Sequence, residues 1–365
     1  MTIQTSKEQT DVFLQLKERI INDQSDNARI DALIEIVENW KDEPETISLL
    51  KDRAANDRCR ALRMVAIEKI AQGWKDNNDT LPLLKDCALN DHYLDVRKVA
   101  VQAISKGWGD NSDTLSWLND SEILLLAKCD HPEVQIVAVQ VISKDWRDNS
   151  DTLPWLKDCA LNDDDQQWEV RITAIQEIAK GWKDDTDTLS WLKDRALNDQ
   201  VWVVRITAIQ EIAKGWKDDT DTLSWLKDRA LNDQDGDVRS TAIQAIAQGW
   251  KEDSDTFPLL KERALNDKDY DVRMAVVQEI AKGWKDDPQT FDFLCDRAIH
   301  DPFKRAEDWG NNPRQTALEA ILKHYSDKPQ TLELLKTVSN NDPDEELKEF
   351  AKKELAKLSE NPVGA

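Results

Sequence analysis

Tryptophan recurs at a nearly fixed interval along this chain. Trp40, Trp74, Trp108, Trp146, Trp182, Trp216, Trp250 and Trp284 are separated by 34, 34, 38, 36, 34, 34 and 34 residues, and Tyr325 takes the next place, 41 further on. Self-similarity at such a period signals a stack of supersecondary units, each burying an apolar face against its neighbours. The 28 residues Ile172 to Asp199 recur identically as Ile206 to Asp233. The unit reads W-K-D-D-x-D-T-L-x-x-L-K-D-R-A-L-N-D, then a short variable stretch, then V-R-x-x-A-I-Q-x-I-A-K-G-W. Ten units fill residues 1–365 as a single array: eight closed by tryptophan, one by Tyr325, and a polar terminal one ending near Leu358. Residues 1–10 and 359–365 are expected to be flexible ends.

Each unit carries two helical patterns. The first opens at a threonine (Thr46, Thr80, Thr114, Thr152, Thr188, Thr222, Thr256, Thr290, Thr331) that, with the preceding acidic residue, suits a helix N-cap. Pro82, Pro154 and Pro258 lie two residues on, which is tolerated only in a first turn. The second pattern runs from the V-R pair to G-W, and its glycine fits a helix end. Alternating β-branched runs are missing, so the fold is predicted to be all-α.

On the second helix of the fifth unit, Val170, Ala174, Ile175, Ile178 and Trp182 share one face at 100° per residue. Arg171 falls in the middle of that face, where an unpaired charge is costly. The same slot holds Arg29, Arg63, Arg97, Arg205, Arg239, Arg273 and Arg314, and becomes Gln135 in the fourth unit. Asp23, Asp57, Asp91, Asp199, Asp233 and Asp267 lie six residues before most of these arginines. A ladder of Asp–Arg bonds threading the turns between helices is the expectation.

The D-x-x-x-x-V-R-x-x-A pattern opening the second helix resembles HEAT repeats, particularly the short bacterial type associated with phycobilisome lyases. The wording of the unit is also similar to arrays attached to bacterial NACHT-type signalling proteins, although this chain has no G-x-x-x-x-G-K-S/T phosphate loop. The resemblance implies a right-handed α-solenoid of about ten two-helix repeats, on the order of 90 Å long at helix-packing distances. First helices would line its convex side and second helices its concave side. It implies a non-catalytic binding scaffold or sensor array whose partner is another protein or peptide segment. The alternatives it leaves open are a bilin lyase or phycobiliprotein chaperone, and the sensor part of a split signalling or defence system.

Three sets of residues are candidates for contact. Gln176 and Gln210 belong to one polar row of the second helices and Lys180 and Lys214 to another, together able to pair with acidic or extended segments or simply forming a solvated face. Trp117, Trp155, Trp191 and Trp225 form a row on the first helices that either packs between neighbours or projects as a ridge. The third set lies where the repeat breaks. An insertion over Asp301 to Pro313 carries Phe303, Lys304, Arg305 and Trp309, either as a contact loop or as a surface excursion with buried aromatic anchors, and variable turns carry Tyr93, Trp168, Trp202 and Tyr270.

Composition narrows the partner class. Seventy-two acidic against 49 basic residues give a formal charge of −23, which disfavours nucleic acid and anionic membranes. No apolar run reaches a membrane-spanning length. Five cysteines without CxxC spacing and a polar start fit a cytoplasmic protein. His92, His131, His300 and His324 share no motif. The turn triplet Asp184, Asp185 and Asp187 lacks the glycine and distal glutamate of a calcium loop. No cofactor or metal is expected, and Cys87 and Cys159, replacing an arginine of other units, read as surface variation.

Overall fold

A computed structural model of the chain describes residues 2–108, 132–161, 168–305 and 312–360, and all its regular elements are α-helices. They cluster into two compact units, Met1–Lys183 and Asp184–Ala365. The first contains α1 (Thr2–Asn22), α2 (Asp26–Asn39), α3 (Pro44–Asn56), α4 (Arg60–Gly73), α5 (Thr80–Asn90), α6 (Leu94–Trp108), α7 (Pro132–Asp145), α8 (Thr152–Leu161) and α9 (Trp168–Gly181). The second contains α10 (Thr188–Asn198), α11 (Trp202–Gly215), α12 (Thr222–Asn232), α13 (Gly236–Gly249), α14 (Thr256–Asn266), α15 (Tyr270–Gly283), α16 (Pro288–His300), α17 (Pro313–Tyr325), α18 (Pro329–Asn341) and α19 (Glu345–Glu360). Within each unit the helices follow one another as regular two-helix repeats. The added turn of the fourth repeat, near 121–130, lies outside the described residues, as does most of the fifth-repeat insertion.

Within each unit, helices pair in hairpins, and successive second helices pack on one another: α11 on α13, α13 on α15, α15 on α17. The residues dictate which face is covered. Val204, Ala208, Ile209 and Ile212 of α11 are fully buried, whereas Gln210 and Lys214 are exposed. First helices bury a narrower stripe at every fourth position, as with Thr222, Leu226 and Ala230 of α12. The row that includes Trp155, Trp191 and Trp225 is half-buried between first helices and forms no free ridge; Trp117 lies outside the described residues.

The threonines do something other than cap their own helices. Thr80, Thr222 and Thr256 are the first helical residues, and the aspartates before them make no side-chain cap bond. Each threonine is fully buried. The Thr46, Thr80, Thr152, Thr256 and Thr331 hydroxyls instead donate to the carbonyl of the aromatic residue that closed the preceding helix, as in Thr256 Oγ1 to Trp250 O at 2.8 Å. That carbonyl is one of those a helix end leaves without a partner. The acidic turn adds a second clamp: the Asp219 carboxylate accepts the Asp221 N–H and the Thr222 hydroxyl, an Asx turn of the kind these side chains favour.

The glycine at the end of a second helix, such as Gly73, Gly215, Gly249 or Gly283, is its last helical residue. The C-cap residue is tryptophan, with φ −123° at Trp216. A Cβ built at Gly181, Gly215, Gly249 or Gly283 meets nothing within 4 Å. Neither a left-handed backbone nor local sterics requires glycine there.

Candidate functional site

The arginines in the apolar face join neighbouring repeats. Arg239 grips Asp267, 28 residues on, with both ends of its fork, at 2.9 and 2.7 Å. Arg273 does the same to Asp301 and Arg314 to Asp342, at 2.8 to 3.0 Å. Arg29 pairs with Asp57 and Arg63 with Asp91. The aspartate six residues before the arginine supplies its backbone carbonyl, as in Arg239 Nη1 to Asp233 O at 3.0 Å. Within a repeat the bond therefore goes to main chain, and the carboxylate belongs to the next repeat. Arg205 is held loosely, with Asp233 at 3.8 Å and Asp235 at 3.6 Å. Arg97 donates to the Ala88 carbonyl and Arg171 to that of Ala160. Gln135 occupies the slot in the fourth repeat, buried, with no hydrogen-bond partner for either amide atom among the described residues.

Each ladder aspartate is satisfied on several sides. Asp267 also accepts the Asp269 N–H at 3.0 Å and faces Arg263 at 3.7 Å. Burial pushes its pKa up. The bonds from Arg239 and the Asp269 amide, with the charges of Arg239 and Arg263, hold it below the ordinary 3.8. A carboxyl depressed on folding contributes stability that is present above its unfolded value and lost as pH falls through the folded one. Asp267→Asn is therefore expected to lose less stability than the wild type between pH 7 and pH 3, read as the shift of the urea midpoint. An equal acid loss in both proteins would remove Asp267 from the acid response.

The polar rows lie where the repeat pattern predicted, on the solvent side of the second helices. Gln176, Gln210, Lys180 and Lys214 are exposed, and Lys180 comes within 4.0 Å of Glu177. In the first unit this face forms a groove of about 370 Å³ between α4 and α6. Its floor is Ala71, Val99, Ala103 and Gly107, small enough to leave the trough open. Glu68, Gln72, Lys75, Gln102 and Lys106 line it, and among the described residues none of the five makes a hydrogen bond or ion pair.

In the ninth-repeat insertion the described aromatic residue is an anchor. Phe303 is buried, edge-on to Tyr270 with ring centroids 5.1 Å apart, and its carbonyl accepts Arg314 Nη1 at 2.8 Å. Arg305 is ion-paired with Asp344 at 2.9 Å and Glu346 at 3.1 Å. Both are anchors of the insertion, because an apolar ring and a shielded guanidinium gain more from the neighbouring repeat than from water. Lys304 is exposed, and Trp309 lies outside the described residues. Trp168, Trp202 and Tyr270 open second helices and are exposed.

The cysteines correct another expectation. Cys87 is buried and Cys159 half-buried, so the slot they share with arginine is not surface. Burial first, then the neighbouring Asp91, pushes the Cys87 thiol up to about 11; burial and Asp158 push Cys159 up to about 12. Cys129 lies outside the described residues. Among the described residues no group of three or more His, Cys, Asp or Glu side chains is placed to hold a metal ion, and no helix is long and apolar enough to cross a membrane.

Comparison with known proteins adds a family. A model of HEAT repeats matches residues 14–105, 121–213 and 223–310, most of the chain. No curated protein matches. Among solved structures, the chain is similar to YibA of Escherichia coli at 18% identity, covering 74% of this chain and 96% of that one with a TM-score of 0.39. It is also similar to a computationally designed self-assembling cyclic homo-oligomer at 18% identity, covering 91% and 93% with a TM-score of 0.11. Repeats of this type suggest a protein-interaction scaffold. From the tryptophan period, the Arg–Asp joints and the family match together, the chain belongs to the HEAT-repeat family.

Proposed function

We propose that this chain is a non-catalytic scaffold that binds an extended, acidic segment of another protein along the exposed face of its second helices. The groove between α4 and α6 carries the reading: five polar side chains, without partners among the described residues, surround an apolar floor. Gln72 and Gln102 each offer a donor and an acceptor to a peptide backbone, and Lys75 and Lys106 offer charge for carboxylates. In a chain of net charge −23, two unpaired lysines on one groove select acidic ligands over basic ones at that spot. Gln176, Lys180, Gln210 and Lys214 continue the same chemistry on other repeats.

Panning a displayed library of random peptides against the full chain tests this. Enriched sequences are expected to be acidic, and their binding to fall about tenfold or more in Lys75→Glu/Lys106→Glu. Enrichment of basic sequences, or equal binding by the variant, would sink the reading. A shift in the absorbance of added bilin would favour the lyase alternative instead.

A further inference from the structure

The groove between α4 and α6 has a direction. Successive second helices run parallel, because their C-terminal ends meet. Near the end of α6, Ser105 Oγ donates to an Asp145 carboxylate oxygen at the end of α7, at 3.0 Å. A Cβ built on Gly73, the last residue of α4, would lie 3.3 Å from Lys41 Cε, just past α2. On one wall of the groove Glu68, Gln72 and Lys75 therefore follow one another from end to end, as Val99, Gln102 and Lys106 do on the other. Both lysines stand at one end and the Glu68 carboxylate at the other. Seven residues separate Glu68 from Lys75, about 10 Å at the helical rise. An extended segment covers that length in about three residues.

The floor is as selective as the walls. Counted back from the closing tryptophans, Ala71 and Ala103 stand where Ser143 of α7 and Glu177 of α9 stand. Between α7 and α9 that pair spans the two helices, with Ser143 Oγ donating to Glu177 Oε2 at 2.9 Å. Glutamate also holds the Ala103 slot as Glu35, Glu211 and Glu279. Between α4 and α6 two methyl groups replace the bridge, and the space is left to a side chain from outside. Methyl groups offer a polar atom no hydrogen bond, so the side chain that gains there is apolar. At the ends charge decides: Glu68 repels an acidic residue, whereas Lys75 and Lys106 attract one.

Resting on the acidic-segment reading above, we propose that this groove selects an oriented motif. One aliphatic side chain sits on the floor of Ala71 and Ala103, with acidic residues on its Lys75 and Lys106 side and none on its Glu68 side. The lysines supply the attraction. Glu68 and Ala103 set the order, so a segment with carboxylates on both sides of its aliphatic residue binds less well.

Three capped, fluorescein-labelled peptides of one composition test this by anisotropy against the full chain: Gly-Gly-Val-Glu-Glu, its reverse Glu-Glu-Val-Gly-Gly, and the split order Glu-Gly-Val-Gly-Glu. One of the two one-sided orders is expected to bind about threefold or more tightly than the split one. Glu68→Gln, at an exposed position, should close that gap by strengthening the split peptide. Ala103→Glu, which restores the residue of other repeats, should remove an advantage of about tenfold for valine over glycine at the central position. Equal binding of split and one-sided peptides, or a gap that survives in Glu68→Gln, overturns the motif. So does a valine advantage that survives in Ala103→Glu. The double lysine variant separates this failure from that of the underlying reading. If Lys75→Glu/Lys106→Glu binds all three peptides as the wild type does, the acidic-segment reading falls and the motif with it. If that variant loses binding while the wild type is indifferent to order, only the motif falls.

Discussion

Replacing Arg239 by methionine is expected to destabilise the fold by about 3–5 kcal/mol, because it strands the buried carboxylate of Asp267. Urea unfolding followed by tryptophan fluorescence reads the loss, with Trp250 and Trp284 as nearby reporters. Adding Asp267→Leu to the same chain should recover part of it, since an apolar pair can replace a buried ion pair at little net cost. The bond lengths also predict a ranking. Arg205, whose nearest carboxylate oxygen is 3.6 Å away, should lose less on the same substitution than Arg239 at 2.7 Å. A midpoint unchanged in Arg239→Met would mean that the joint between repeats rests on apolar packing alone.

The fourth repeat predicts the opposite sign from the same slot. Gln135 is buried with neither amide atom partnered among the described residues, so it bears a desolvation penalty that nothing repays. Gln135→Met keeps the length and flexibility of the side chain and removes the polar atoms. It is expected to raise stability by about 1–3 kcal/mol, measured by the same urea midpoint. A loss of stability would show that the glutamine finds a partner in solution. Between them the two substitutions separate paired from unpaired polarity in one structural position.

Architecture was largely legible in the sequence because repetition amplifies it. Period, helix pairing and the buried position of the arginines all follow from positions that recur. Bonding was less legible. Most repeats offer the arginine two aspartates of identical type, one six residues before and one 28 after, as Asp233 and Asp267 flank Arg239, and only the packing of successive repeats decides which carboxylate is within reach. Thr256 looks like a cap by type, but its hydroxyl is directed by the turn to the Trp250 carbonyl. Cys87, standing where other repeats have arginine, looks like surface variation by type, but a slot that departs from its repeat can still be covered by the neighbouring layer.

The 28-residue reach of the paired arginines has a bearing on how such a chain can change length. The repeats of Arg29, Arg63, Arg239, Arg273 and Arg314 each carry the guanidinium half of a joint whose carboxylate half lies in the next repeat. Copying or deleting one whole period, as unequal recombination between near-identical coding segments would do, rejoins a forward-facing arginine to a waiting carboxylate. An insertion of half a period would instead bury a guanidinium against the wrong turn. Length change by whole repeats is thus tolerated by electrostatics, and so is an insertion that falls in the turn before an arginine, as Arg314 shows by still reaching Asp342.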